Sequence, residues 1–286
     1  MFVGVDLGGT NVRAAIEENG AIHHLRKSAF RTNDSLKNTL GELKDFIRPL
    51  ITPEVKGLGI GVPSVVDVER GVVYNVMNIP SWEKVPLKNI LEEEFEIPVS
   101  VNNDVNCFAL GEHTFGLLKN YRNAVGMACG TGLGLGVIIN NQLYHGNNCG
   151  AGEIGLLPYK EHTLEYYASG NFFSTFYRLS AVEAHERALM EDIKALNAWK
   201  EFGVHLGQAV KNVVLTYDPE AIVLGGSVSK AFQFFLPSLL SSLDDFPFPE
   251  SIKRLKIFQS QNENISLLGA AALVHRLNGE LSQIRI

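Results

Sequence analysis

Three cysteines in 286 residues are too few and too scattered for a disulfide framework. Cys107, Cys129 and Cys149 are an odd number with no Cys-x-x-Cys pair, so the sequence predicts reduced thiols in a cytoplasmic protein. No apolar run approaches the roughly 20 residues that a membrane helix needs. Asp6 interrupts the first apolar stretch, so a signal peptide is not expected. Basic residues are in deficit, 25 Lys and Arg against 31 Asp and Glu for a net charge of −6. That balance argues against a duplex nucleic-acid partner, because neutralising phosphates takes a basic face. It leaves a small acidic ligand open, since one pocket can be positive on an acidic protein.

What is present fits a globular protein with a sizeable core and two domains: 45% of residues are hydrophobic and 20% charged. The 27 glycines fall in short clusters between apolar runs, as they do where a turn is tight or backbone approaches a ligand closely. Phe2, Val3 and Val5 lead into one such cluster, and Val12, Ala14 and Ile16 lead out of it. Asn19-Gly20 is a hairpin turn signal, with a third strand following toward Phe30. A helix fits Leu36, Leu40, Leu43 and Ile47 and ends at Pro49; a buried strand fits Leu58, Ile60 and Val62. A second helix fits Ile90, Leu91 and Phe95, with Glu92-Glu93-Glu94 expected on a solvated face. Val99 and Val101 form a strand that stops at Asn102-Asn103-Asp104, and helical pattern follows to Gly116.

The strand–glycine turn–strand unit then returns at 125–139, closed by Asn140-Asn141 as a new hairpin signal. This internal repeat predicts a duplicated architecture with a cleft between the halves. The remainder reads as mainly helical, with a long stretch near 193–216, a strand at 221–224, a late strand near Ile257 and a last helix through Leu267, Leu268, Ala271 and Leu273.

Five clusters carry chemistry. In Asp6-Leu7-Gly8-Gly9-Thr10-Asn11, a strand running into two glycines frees consecutive N–H groups for a phosphate, Thr10 and Asn11 add donors, and Asp6 suits a water-mediated Mg2+ contact. A plain hairpin turn explains the same residues equally well. Gly130-Thr131-Gly132-Leu133-Gly134-Leu135-Gly136 misses the G-x-G-x-x-G spacing and precedes a strand, which disfavours a Rossmann reading. Gly225-Gly226-Ser227 lets a flat ligand lie on backbone, or simply punctuates a strand and a helix. Asn102-Asn103-Asp104 puts a carboxylate at a helix N-terminus, where the dipole favours negative charge; Asp104 is then either a proton acceptor or an ordinary N-cap. Around Gly150–Leu156 and Leu164–Gly170, Glu153 and Glu165 are either acceptors for sugar hydroxyls or surface acids.

Taken with Gly61-Val62-Pro63, these segments resemble in order and separation the ROK (repressor, open reading frame, kinase) family along nearly the whole chain. The resemblance implies an α/β fold of two ribonuclease-H-like domains of the actin and hexokinase type with a cleft between them, here 1–105 and 106–286, the last helix returning to the N-terminal domain. It implies ATP- and Mg2+-dependent phosphorylation of a hexose or amino sugar, glucokinase-like and at the 6-hydroxyl, by a homodimer. By position, Asp104 matches the catalytic base. Asn78, Asn103, Glu153 and Glu165 match sugar-contacting positions, and Gly8, Gly9, Thr10, Gly130, Thr131, Gly132, Gly225 and Gly226 match the nucleotide side.

Two departures stand out. Leu156 occupies the place of the family's histidine in Glu-x-Gly-His, and the cysteine-rich zinc segment is missing, so no structural zinc is expected. His145, Cys149, Glu153 and His162 match no common metal-site spacing. A sugar-sensing repressor would carry a helix-turn-helix ahead of the Asp6 turn, so that reading is not expected; a sugar-binding relative without catalysis is the alternative to a kinase.

Overall fold

The computed structural model describes residues 1–277 as two compact units, the first comprising 1–120, 142–151 and the segment from Asn262, the second 121–141 and 152–261. The chain opens with β1 (Phe2–Leu7), β2 (Asn11–Glu18) and β3 (Ala21–Ala29), three antiparallel strands joined by tight turns. Asn19 and Gly20 both take positive φ, 53° and 81°, the pairing that matches the right-handed strand twist. Helix α1 (Leu36–Ile47) is capped by Ser35 and buries Thr39, Leu43 and Ile47, one stripe at helical spacing.

Strand β4 (Leu58–Val62) adds parallel to β1 and is wholly buried, which explains its continuous apolar run. A small antiparallel sheet of β5 (Val65–Asp67), β6 (Val72–Tyr74) and β7 (Lys84–Val85) follows, then α2 (Leu87–Phe95), β8 (Val99–Asn103) parallel to β4, and α3 (Asp104–Phe115). The acidic run on α2 departs from the solvated face expected of it. Glu92 accepts from the Val99 N–H, and Glu94 bridges Lys44 and Arg48 of the α1 region. Only Glu93 of the three is exposed, because Glu92 and Glu94 each turn to a partner of their own on different sides of the helix.

In the second unit β9 (Ala124–Cys129) and β10 (Leu133–Ile139) pair antiparallel. After β11 (Gln142–Tyr144) the chain forms a 3-10 turn at Ile154–Leu156, the hairpin β12 (Pro158–Tyr159) and β13 (His162–Thr163), α4 (Leu164–Ala168), a π-helical turn at Phe173–Tyr177, α5 (Ala181–Leu189) and α6 (Ile193–Tyr217). Helix α6 buries Trp199, Phe202, Leu206, Val210 and Val213 and is capped by Asp192. Strand β14 (Ala221–Gly225), α7 (Phe232–Ser241), α8 (Pro249–Arg254) and β15 (Lys256–Gln259) complete the unit. The order β10-β9-β14-β15, with its directions, repeats β2-β1-β4-β8 of the first unit. The duplication read from the two strand–glycine–strand units is therefore a duplication of sheet topology.

The first unit is closed by α9 (Ile265–Leu277), which lies directly on β1, β4 and α3. Glycine makes that approach possible: a Cβ on Gly59 would stand 1.7 Å from the Ala270 carbonyl oxygen, and one on Gly269 1.7 Å from that of Cys107. No helix among the described residues is long and apolar enough to cross a membrane.

Candidate active site

In the first unit the parallel register sets Asp6 beside Gly61 and Gly61 beside Asn102, so the ends of β1, β4 and β8 form one row. Open α/β sheets bind ligands outside such carboxyl ends. The Leu7–Asn11 turn is closed by Gly8 N–H donating to the Asn11 carbonyl at 2.9 Å, and the Thr10 carbonyl takes the Phe30 N–H. Thr10 and Asn11 are exposed, with Asn11 Nδ2 donating to Thr10 Oγ1. Asn78 does not stand apart from this turn: a Cβ on Gly9 would lie 2.6 Å from its Nδ2. A residue matched to the sugar thus borders the turn matched to the nucleotide.

Asp6 has a partner that the motifs did not reveal. Arg13 donates to Asp6 Oδ2 from Nε at 3.2 Å and Nη2 at 2.5 Å, and to the Glu263 carbonyl from Nη1. The signal was available in the hairpin register, which sets position 13 directly across from position 6.

At the head of α3 the N-cap is Asn103, whose Oδ1 accepts the N–H groups of Val105 and Asn106. Asp104 is the first helical residue, with Oδ1 2.9 Å from the Val105 nitrogen. Asn103 is thus the N-cap of α3, and the Asp104 carboxylate shares the Val105 N–H with it from the first helical position. Asn102 is buried, and its Oδ1 accepts from Asn103 N, Asn106 Nδ2 and the Cys149 thiol. Burial pushes the Cys107 thiol well up, and the charges of Asp6 and Asp104, then Cys149, push it further. Both carboxylates thus act on one buried thiol, which stays protonated and inert. Gly61 leaves them that room, since its Cβ would sit 3.2 Å from Asp104 Cα.

In the second unit the two remaining glycine turns are neighbours, because β9 and β14 run parallel with Ala128 beside Gly225. Gly226, at φ 82°, presses against Cys129: a Cβ there would be 2.2 Å from the Cys129 carbonyl oxygen. Its own carbonyl accepts from the Ser229 hydroxyl at 2.8 Å. A Cβ on Gly130 would be 3.8 Å from Ser227 Oγ. Thr131 is exposed, and Gly132 faces Glu165 Oε2.

Glu153 opens the 3-10 turn, and its carboxyl is raised above the ordinary range by desolvation and then by the charge of Glu165. The two acids are therefore electrostatic neighbours. Leu156 closes the same turn and is 66% exposed. The β12–β13 hairpin, where the zinc segment is missing, rests on rings: buried His205 Nδ1 lies 3.0 Å from Tyr159 Oη, Tyr167 packs on both, and His162 stacks on Tyr166 at 4.0 Å. Burial, then Lys160, pushes the His205 imidazole below its ordinary value. No motif pointed to His205, which reads as one more position on a long amphipathic helix.

A family model described as "ROK family" matches residues 2–277. The chain belongs to the ROK family. A xylose repressor of Bacillus spizizenii is 29% identical over 95% of this chain and 76% of its own length, and a glucokinase of Halalkalibacterium halodurans 29% identical over 87% and 86%. A ROK family glucokinase from Streptomyces griseus, solved in complex with glucose and AMPPNP, superposes with a TM-score of 0.81 at 25% identity, covering 95% of this chain and 98% of that one. The fold is accordingly the pair of actin-like, ribonuclease-H-like domains of ROK kinases, and the relatives include both glucokinases and xylose repressors.

Proposed function

We propose that this chain is an ATP-dependent sugar kinase that phosphorylates the primary 6-hydroxyl of a hexose or amino sugar. The observation that carries the reading is Asp104. It is the first residue of α3, its Cα against Gly61, whose strand partner is Asp6, and the N-cap position itself is held by Asn103. In the reaction Asp104 accepts the proton of the attacking hydroxyl while the sugar oxygen bonds to the γ-phosphorus and the bond to the β-phosphate oxygen breaks, releasing ADP.

Gly8, Gly9, Thr10 and Asn11, with Gly130, Thr131, Gly132, Gly225 and Gly226, serve the nucleotide through backbone N–H groups and small side chains. Glu153, Glu165, Asn103 and Asn78 serve the sugar. Asp6 offers hard oxygen to Mg2+, which when bound neutralises charge on the phosphates; with Oδ2 already held by Arg13, a water-mediated grip suits it better than a direct one. The protein is proposed to act in the cytoplasm as a homodimer.

Leu156 offers the acceptor no hydrogen bond through its side chain, so one hydroxyl contact worth about 1 kcal/mol is absent relative to a histidine there. Rates on glucose, mannose, N-acetylmannosamine and fructose, measured with Leu156→His alongside, show whether this position chooses the sugar. Asp104→Asn is expected to lower kcat by about a thousandfold or more with sugar affinity retained. Near-normal turnover removes Asp104 from the mechanism.

The xylose repressors among the relatives favour one second reading, a sugar-binding protein without phosphoryl transfer. ATP consumption with the sugar panel separates the two: a protein that binds a sugar yet consumes no ATP with any of the four is not a kinase of these substrates.

A further inference from the structure

The Cys129–Leu133 turn is held largely by the chain around α4. Leu133 N–H donates to Glu165 Oε2 at 2.8 Å, Gly170 N–H to the Gly130 carbonyl at 2.7 Å, Asn171 Nδ2 to the Thr131 carbonyl at 3.1 Å, and the Cys129 thiol to the Ala168 carbonyl at 3.2 Å. All four anchors fall within residues 165–171. Glu165 is the charged one, and two glycines make its seat: a Cβ on Gly132 would stand 2.7 Å from its Oε2, and one on Gly155 3.3 Å from its Cβ and from that same oxygen. A carboxylate bond to a backbone N–H is among the stronger hydrogen bonds and fixes the orientation of the peptide that carries it.

Resting on the kinase reading above, which gives the turn to the nucleotide and Glu165 to the sugar, we infer that Glu165 is also a positioning residue for the nucleotide-side turn. By holding the Gly132–Leu133 peptide it sets where the neighbouring N–H groups of Thr131 and Gly132 point. One side chain therefore organises the donor side even when no sugar is bound. A carboxylate that served only as a sugar ligand would leave nucleotide affinity untouched under those conditions.

The test is AMPPNP binding to the full chain with no sugar present, beside glucose binding alone. Glu165→Ala is expected to weaken AMPPNP about tenfold, through loss of a charge-assisted bond. Glu165→Gln keeps an oxygen in reach of Leu133 N–H and is expected to stay within about twofold of wild type for AMPPNP, while binding glucose more weakly. If the alanine variant does not fold, Glu165→Asp replaces it: it keeps the charge, falls short of Leu133 and is expected to weaken AMPPNP in the same direction. Unchanged AMPPNP affinity in the alanine or aspartate variant overturns the inference alone. A wild-type chain that neither binds AMPPNP nor phosphorylates any sugar of the panel overturns the kinase reading and this inference together.

Discussion

The two strand–glycine–strand turns share a topology and are held by different means. Around Leu7–Asn11 two backbone bonds close the turn, but what crowds its second glycine is a side chain, the Asn78 amide against Gly9, with the Arg13 guanidinium on Asp6 just before it. Around Cys129–Leu133 the neighbours are mainly backbone and one carboxylate: Gly170 N–H, the Ala168 carbonyl, the Gly226 main chain and Glu165. A side chain can rotate away from an intruding atom at the cost of one contact, whereas a carbonyl fixed in a sheet or helix cannot. The first turn should therefore tolerate substitution that the second does not, although sequence presents them as equivalents.

Added methyl groups test this most directly, and the expected losses form a gradient. Gly226→Ala meets the Cys129 carbonyl at 2.2 Å and must also adopt φ 82°, so it is expected to cost roughly 3 kcal/mol or more of unfolding free energy by urea titration. Gly132→Ala meets the Glu165 carboxylate at 2.7 Å and breaks its bond to Leu133, for about 2 kcal/mol. Gly9→Ala meets the free end of the Asn78 amide and is expected to cost about 1 kcal/mol or less. A Gly9 variant as damaged as the Gly226 variant would break the comparison.

Arg13→Gln sharpens it from the other side. The pair it removes is partly exposed, 27% and 17% for the two side chains, so solvent screening keeps its stability cost to about 1 kcal/mol. Its larger consequence is chemical, since Asp6 is released from the guanidinium. Tighter Mn2+ binding, read by electron paramagnetic resonance on the variant against wild type, is the expected result. Equal binding would place Asp6 outside any cation contact.

Much of this architecture was legible because it is local. The hairpin signals Asn19-Gly20 and Asn140-Asn141 take positive φ as their residue types demand, apart from glycine the pairs best suited to it. Periodicity marked α1 and α6, and the repeated glycine turns revealed the duplicated sheet. The three-residue strands β5 and β6 and the two-residue β7 are too short to show a period. Bonds that span the chain left no local trace. Asn102 meets Cys149 47 positions away, Glu17 meets His275 258 positions away, and Glu94 of α2 finds Lys44 and Arg48 only after both segments are placed. At the candidate site, residue types singled out Asp104 and the glycines as candidates. That Asn103 rather than Asp104 caps α3, and that Glu165 grips a turn 32 positions earlier, emerges only from packing.

The smallest expected effect compares the two units by pH. In the second unit His205 is buried with its imidazole below the ordinary 6.5, from burial first and Lys160 next, with Glu201 acting the other way. The folded chain then binds fewer protons there than the unfolded chain, so this contribution is full above pH 6.5 and is lost as pH falls below it. In the first unit Glu17 lies below its ordinary 4.5: burial acts against the charge, but the His275 and Gly20 hydrogen bonds outweigh it. Its contribution is present above 4.5 and is lost only in stronger acid. The two windows do not overlap, so the two groups can be read separately. Between pH 7.5 and 5.5 the wild-type Tm should fall, and His205→Gln, though less stable at pH 7.5, should fall less over that interval. His275→Gln removes the foremost bond that holds Glu17 below its ordinary value, and should flatten the Tm profile below pH 4.5. An unchanged slope in the His205 variant would mean that the hairpin standing where the zinc segment is missing is held by packing of its rings, without a proton-sensitive imidazole.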